Sequence, residues 1–321
     1  MRIIVTGAAG LIGSHLTDHL ILEGHDVIAV DNLSFGNPKN CNFTLYNIDL
    51  TTENCLDKFK EVDIVCHLAA YKKAPKNSIA SSDVMKVNFK MMDNILEYCS
   101  KTNAKLMFTS TSDIYGNSDT FTEDEPITIG PPNVERYSYA LSKLHDEQLV
   151  LNMISENRLH ASIARIFGCA SPRSNKGWSG GHIPLFVDKA IKNEDIVIHG
   201  DGSQTRSMSH ALDIVNGLVS MVDNIDELNG EIYNLGTDEE MSVKKSAELI
   251  IEKTNSKSNI IFQPKTEAFG NYREITRRFA NTKKARDKFG YEVNYTSTQV
   301  IDEIIKSFTN ENSSNNTSKT P

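Results

Sequence analysis

Apolar and polar positions along this chain follow two rhythms in turn, one repeating every ~2 residues and one every ~3.6. Met1 to Val5 is a short β-branched run that predicts a strand. Thr6-Gly7-Ala8-Ala9-Gly10-Leu11-Ile12-Gly13 follows at once, and Leu16, Leu20 and Leu22 continue it, which predicts a tight glycine turn opening into a helix. Further strands are predicted at Asp26 to Val30, Phe43 to Ile48, Glu61 to Leu68, Lys105 to Thr109 and His160 to Phe167. Val84, Val87, Met91, Ile95 and Tyr98 recur at helical spacing between Asp83 and Ser100, and a second long helix is predicted from Tyr139 to Asn157. Strands alternating with helices imply an α/β fold around a parallel sheet.

Past Phe167 the pattern loosens. A glycine-rich stretch, Gly168 to Gly181, precedes predicted helices at Ile183 to Lys192, Ala211 to Met221, Val243 to Thr254 and Lys283 to Phe289, with a strand at Glu231 to Gly236. The expected organisation is a nucleotide-binding domain over 1–167 and a smaller lobe over 168–309, with 211–221 packing back on the first domain. From Asn310 to Pro321 the chain turns to Asn, Ser and Thr, which build no core, so a disordered tail is expected.

Composition narrows the classes. The 321 residues can bury a large core. A net charge of −8 with no long basic block argues against a broad nucleic-acid surface. No apolar run approaches the ~18 residues of a membrane span. The first strand starts at Met1, so no signal peptide is expected. Five cysteines, at 41, 55, 66, 99 and 169, lack metal-ligand or disulfide-framework spacing, so a reduced, cytoplasmic protein without a metal site is expected.

The glycine turn carries the first candidate chemistry. Gly7 permits a backbone geometry closed to side chains, Gly10 lets the backbone approach a pyrophosphate, and Gly13 lets the helix sit close to the sheet. The helix start at Leu11 and Ile12 would offer unpaired N–H groups to phosphates. Asp31 ends the second strand, where a carboxylate accepts hydrogen bonds from an adenosine ribose and disfavours a 2′-phosphate, so NAD is expected rather than NADP. Asn32 and the loop to Asn40 would lie beside the adenosine. Asp49, next to Leu50, would bond the adenine amino group or merely cap a turn. Leu68, Ala69 and Ala70 would let a strand end approach the cofactor, Lys72 would face a phosphate, and Asn88 would hold a loop or the nicotinamide region.

The second candidate lies further on. Tyr139 and Lys143 share one helix face, and an ammonium beside a phenol favours the phenolate, a base able to take a proton from a sugar or alcohol hydroxyl as hydride leaves. Thr111, at a strand end rich in hydroxyls, would donate to the same oxygen.

These marks together resemble an extended short-chain dehydrogenase/reductase, specifically the nucleotide-sugar epimerase and dehydratase family, over about residues 1 to 305. They are the glycine turn, Asp31, His67-Leu68-Ala69-Ala70, Asn88, Thr111 before Tyr115-Gly116, Tyr139 with Lys143, Gly200-Asp201-Gly202-Ser203-Gln204-Thr205-Arg206, and Arg278 ahead of Lys284-Ala285. The resemblance implies a Rossmann-type parallel sheet with helices on both faces and a smaller C-terminal α/β substrate lobe. It also implies an NAD that is reduced and reoxidised within one turnover, a homodimer, and a nucleoside-diphosphate sugar, commonly UDP-linked, as substrate. Tyr139 would be the base, Lys143 would orient the cofactor ribose, and Arg206 and Arg278 would hold the diphosphate.

Residues 112 and 113 bear on the reaction. Family dehydratases carry Asp-Glu where this chain has Ser112-Asp113, and serine is a poor acid for a leaving hydroxyl. UDP-glucuronate decarboxylases show Thr-Ser-Glu, one methylene from Thr111-Ser112-Asp113, although the aminoarabinose-pathway enzyme adds an arginine near the position of Leu212. Epimerisation at C4 makes the fewest demands and is the favoured expectation, ahead of decarboxylation and dehydration. A sensor or scaffold that binds NAD without turnover has no need of Tyr139 and Lys143. Two departures stand out. Gly168 occupies a position where the family has an Asn on the diphosphate, and Trp178 would shape a changed sugar pocket or simply pack on the lobe.

Overall fold

The computed structural model describes every residue except 73–79, 117, 119, 131–132, 136, 178–180, 265–274 and 318–321. Its largest element is a parallel sheet built from β1 (Arg2–Thr6), β2 (Asp26–Asp31), β3 (Leu45–Asn47), β4 (Ile64–His67), β5 (Lys105–Thr111), β6 (Ala161–Ile166) and a later strand, Ile232–Leu235. From one edge the order is Ile232–Leu235, β6, β5, β4, β1, β2, β3. The chain therefore winds one way from β1 to β3 and the other way from β4 onward, and the switch between β1 and β4 opens a crevice at their C-terminal ends.

Both faces of the sheet are covered, which is why its strands are apolar throughout. Ile3 and Val5 point to one face and pack with α1 (Leu11–Leu22) and the helix Ala211–Asp223. Ile4, Ile28 and Val30 point to the other and pack with α2 (Ser81–Thr102) and α3 (Tyr137–Ser155). A third core fills the lobe, where His182–Ile191, Val243–Thr254 and the last helix, Ser297–Thr317, close over Ile196 and Ile198. Among the described residues no helix is long and apolar enough to cross a membrane.

Two features differ from expectation. The first domain does not end at 167, because Ile232–Leu235 pairs with β6 in register Ile232↔Ile163 and completes the sheet. A four-residue strand leaves little periodic signal, and only its pairing reveals where it belongs. The tail expected from Asn310 is helical as far as Thr317. Val300, Ile301, Ile304 and Phe308 bury one face of that helix, and further turns add at small cost once a nucleus exists.

Candidate active site

The cofactor end of the crevice is made largely of backbone. Gly7 has φ +69°, and a Cβ there would stand 2.8 Å from the Ala69 nitrogen. A Cβ on Gly13 would meet the Gly7 carbonyl oxygen at 2.1 Å, so α1 lies against the turn only because both residues are glycine. Gly10 caps α1 with no side-chain hydrogen bond, and its first turn holds no acid, leaving N–H groups aimed outward. Thr6 Oγ1 accepts from Leu68 N at 3.1 Å and Ala69 N at 3.2 Å, which locks the β4 end to the β1 end.

Asp31 stands at the end of β2, its two carboxylate oxygens accepting from Ala9 N at 3.1 Å and Leu33 N at 2.7 Å. A carboxylate has about four acceptor sites, so lone pairs remain for a ribose diol. A glycine cradle, an uncapped helix start and this acid together fit a dinucleotide. The other candidate residues here have partners within the chain. Asn32 Oδ1 accepts from Ser34 N, and Asp49 Oδ1 accepts from both Thr51 N and Thr51 Oγ1, the turn-capping alternative. Leu50 is buried in the core under α2, and its carbonyl accepts from Asn94. Asn88 is buried and holds a loop: its Oδ1 accepts from Tyr71 N at 2.7 Å and its Nδ2 donates to Tyr71 O and Ser142 Oγ, both at 3.0 Å.

At the chemical end, α3 brings Tyr139 and Lys143 to the end of β5. Lys143 is buried, its Nζ donating to Thr109 O at 3.0 Å above the Phe108 ring. Burial lowers its pKa to about 8, against the pull of the Asp146 and Glu147 carboxylates. His67, nearby, is held neutral by burial, with a pKa of about 3. The Tyr139 phenol is pushed up, first by burial and then by the Asp113 and Asp146 charges. This departs from the expectation of a depressed phenol: burial dominates the shift, and the Asp113 and Asp146 charges add to it.

Thr111 Oγ1 accepts from Asp113 N at 3.2 Å and so caps the single turn Ser112–Tyr115. Thr111 and Ser112 are both buried. Asp113 is gripped by two cations, Arg278 Nη1 on one oxygen and Lys72 Nζ at 3.3 Å on the other. Lys72 Nζ also sits 4.7 Å from the centre of the Tyr139 ring, so it is engaged at this turn rather than at the phosphates where it was expected. Arg206 donates to Thr205 O, and residues 205 and 207 bond the backbone of 276 and 278, which makes the two expected arginines neighbours. Trp178 lies outside the described residues. The departure at Gly168 has a steric cause, since a Cβ there would lie 2.8 Å from the Ser207 carbonyl oxygen.

Sequence reasoning missed a buried polar network. Arg165 on β6 makes a two-pronged pair with Glu147 on α3, at 3.1 and 2.8 Å, and donates to Tyr115 Oη at 2.9 Å. Tyr115 donates to Asn234 Oδ1 at 2.8 Å, and Asn234 N donates to Glu123 Oε1 at 2.8 Å. The network fastens the helix bearing Tyr139 and Lys143 to the turn bearing Asp113. Its only signals in the sequence are a charged residue inside an apolar strand and another inside a helix.

Residues 3–236 match the NAD dependent epimerase/dehydratase family. The chain belongs to this family. Its members take NAD, and NAD is the cofactor that the glycine cradle and Asp31 fit. The chain is 32% identical over 96% of its length to a UDP-N-acetyl-alpha-D-glucosaminuronate decarboxylase of Bacillus cytotoxicus, of which it covers 97%. It is 30% identical to UDP-glucuronic acid decarboxylase 1 of Danio rerio, over 97% of this chain and 73% of that protein. Among solved structures it superposes on the UDP-glucose 4-epimerase of Thermotoga maritima, crystallised with UDP-glucose, with a TM-score of 0.85 and 25% identity over 97% of this chain and 99% of that one. As a member of the epimerase/dehydratase family the protein is an NAD-dependent enzyme that modifies nucleotide sugars.

Proposed function

We propose that the enzyme decarboxylates a UDP-linked hexuronate through a transient 4-keto sugar. The observation that carries the reading is the convergence of Lys72 and Arg278 on Asp113 beside Tyr139, which brings two cations to the sugar end. Cations at that position suit a sugar bearing its own carboxylate. The two decarboxylases named above support the same reading. On this support we put decarboxylation ahead of the epimerisation that the sequence favours.

NAD, when bound, supplies the hydride acceptor at C4 and returns that hydride at the end of the cycle. Tyr139 takes the C4 hydroxyl proton as its phenolate, which a raised pKa makes the minor form but a strong base. The C4 ketone stands β to the C6 carboxylate. As the C5–C6 bond breaks, its electron pair enters the C5–C4 bond and leaves an enolate oxygen within the reach of the Tyr139 phenol and Thr111 hydroxyl. Carbon dioxide departs, a solvent proton adds at C5, and Tyr139 returns its proton to O4. Lys72 and Arg278 hold the sugar carboxylate until it leaves, while Arg206 faces the diphosphate. Dehydration fits less well, because Ser112 is a poor acid and an Asp113 ion-paired twice is an acceptor rather than a proton donor.

A second reading, C4 epimerisation of a UDP-hexose, is favoured by the Thermotoga maritima structure with UDP-glucose and by needing no group beyond Tyr139, Thr111 and Lys143. Incubation with UDP-glucuronate, UDP-N-acetylglucosaminuronate, UDP-glucose and UDP-N-acetylglucosamine separates the two. Loss of CO₂ from a uronate, seen by mass, is the expected result. Inversion at C4 of a neutral sugar, with uronates untouched, would replace it with the second reading.

A further inference from the structure

Two loops face each other across the C-terminal end of β1. One, residues 32–40, leaves β2 on one side, and the other, residues 68–72, leaves β4 on the opposite side, because β1 lies between these strands. The uncapped start of α1, where the pyrophosphate belongs, opens between them. Each loop is tied down near its root. Asn37 N donates to Ala9 O at 3.0 Å, Asn40 Nδ2 donates to the same oxygen at 3.2 Å, and a Cβ on Gly36 would stand 2.7 Å from Ala9 Cβ. Across the gap, Thr6 holds Leu68 and Ala69, and Asn88 holds both backbone polar atoms of Tyr71.

At the top the loops touch through two rings. Phe35 and Tyr71 meet edge to face, with centroids 5.3 Å apart and planes at 66°. Tyr71 packs partly on the core beneath α2, but Phe35 is 51% exposed and contributes to no core cluster. Among the described residues this half-exposed aromatic on a polar loop packs in no core cluster, and its one ring contact bridges the mouth of the cofactor cleft.

We propose that Phe35 and Tyr71 form an aromatic clasp over the NAD pyrophosphate that slows release of the cofactor, so that NAD reduced in the first half of a turnover is still present to be reoxidised in the second. Asn88 is the fixed post of the clasp, through Tyr71, and Phe35 is its latch. The proposal rests on NAD binding and not on which sugar reaction follows, and its test reads binding alone.

The experiment loads the whole protein with NADH and follows loss of nucleotide fluorescence after mixing with excess NAD. An edge-to-face pair contributes enough to predict a dissociation rate about three- to tenfold faster in Phe35→Ala. Tyr71→Ala should give a similar rate. The double variant should dissociate no faster than either single one, because one contact is broken only once. Circular dichroism and melting of each variant establish that it is folded, and Phe35→Leu, which keeps apolar bulk without the ring edge, covers the case of a misfolded alanine variant. A Phe35→Ala and Phe35→Leu rate within about twofold of wild type, below what the ring pair supplies, would overturn the clasp. So would fully additive effects in the double variant, since each ring would then touch the cofactor independently.

Discussion

At the cofactor end of the crevice the walls are backbone and small residues: Gly7 against Ala69, Gly13 against Gly7, and Thr6 holding two amides. At the sugar end they are charged side chains drawn from distant parts of the chain, Arg165 with Glu147 and Asp113 with Lys72 and Arg278. The first end can hold a polyanion by geometry alone, using dipoles that do not titrate. The second sets the charge on Tyr139 and Lys143 by burying them among carboxylates, so its chemistry depends on pH and on single charges. Substitutions should therefore separate the ends cleanly.

The largest effect belongs to Tyr139→Phe. Turnover should fall by about 10²–10⁴-fold while bound NAD, counted after gel filtration, stays at the wild-type level. Loss of both together would mean that the ends are not separable. Next comes Glu147→Gln, which leaves Arg165 buried without its counter-charge and should cost about 3–5 kcal/mol in denaturant unfolding. A cost near that of a surface pair would remove the network from the account. Gly13→Ala forces a carbon into the Gly7 carbonyl and should cost about 1–3 kcal/mol, with NAD content falling in step.

The smallest effects concern pH. Lys143 gives up its proton near pH 8 in the folded chain, lower than a free lysine, so the unfolded chain binds that proton more tightly. Stability should rise with pH between about 8 and ~10.4 relative to Lys143→Met, which lacks the group. Asp146→Asn removes a charge that raises the Lys143 pKa, so the alkaline limb of the kcat profile should move to lower pH. A limb that stays in place would show that Lys143 does not set it.

The same contrast explains what could be read in advance. Gly7, Gly10, Gly13 and Asp31 fall within thirty-one consecutive residues, where spacing alone implies strand, turn and helix, and the structure has that order. Tyr139 and Lys143 were legible because a helix puts such neighbours on one face. The partners of Asp113 were not, because Lys72 and Arg278 lie far from it in sequence and meet it only through the sheet and the lobe. The phenol was misjudged for the same reason: its burial, the largest cause, and the Asp113 charge beside it both arise from other elements packing around it. The strand Ile232–Leu235 and the steric need for Gly168 likewise appear only with their tertiary neighbours present.

The central claim is that C4 of the sugar is oxidised and then restored within one binding event. The direct measurement supplies a UDP-hexuronate carrying deuterium at C4 and follows both rate and product. The account predicts a slowed turnover and a decarboxylated sugar that keeps its deuterium at C4. Product formed at an unchanged rate, with the label lost to water, would contradict it.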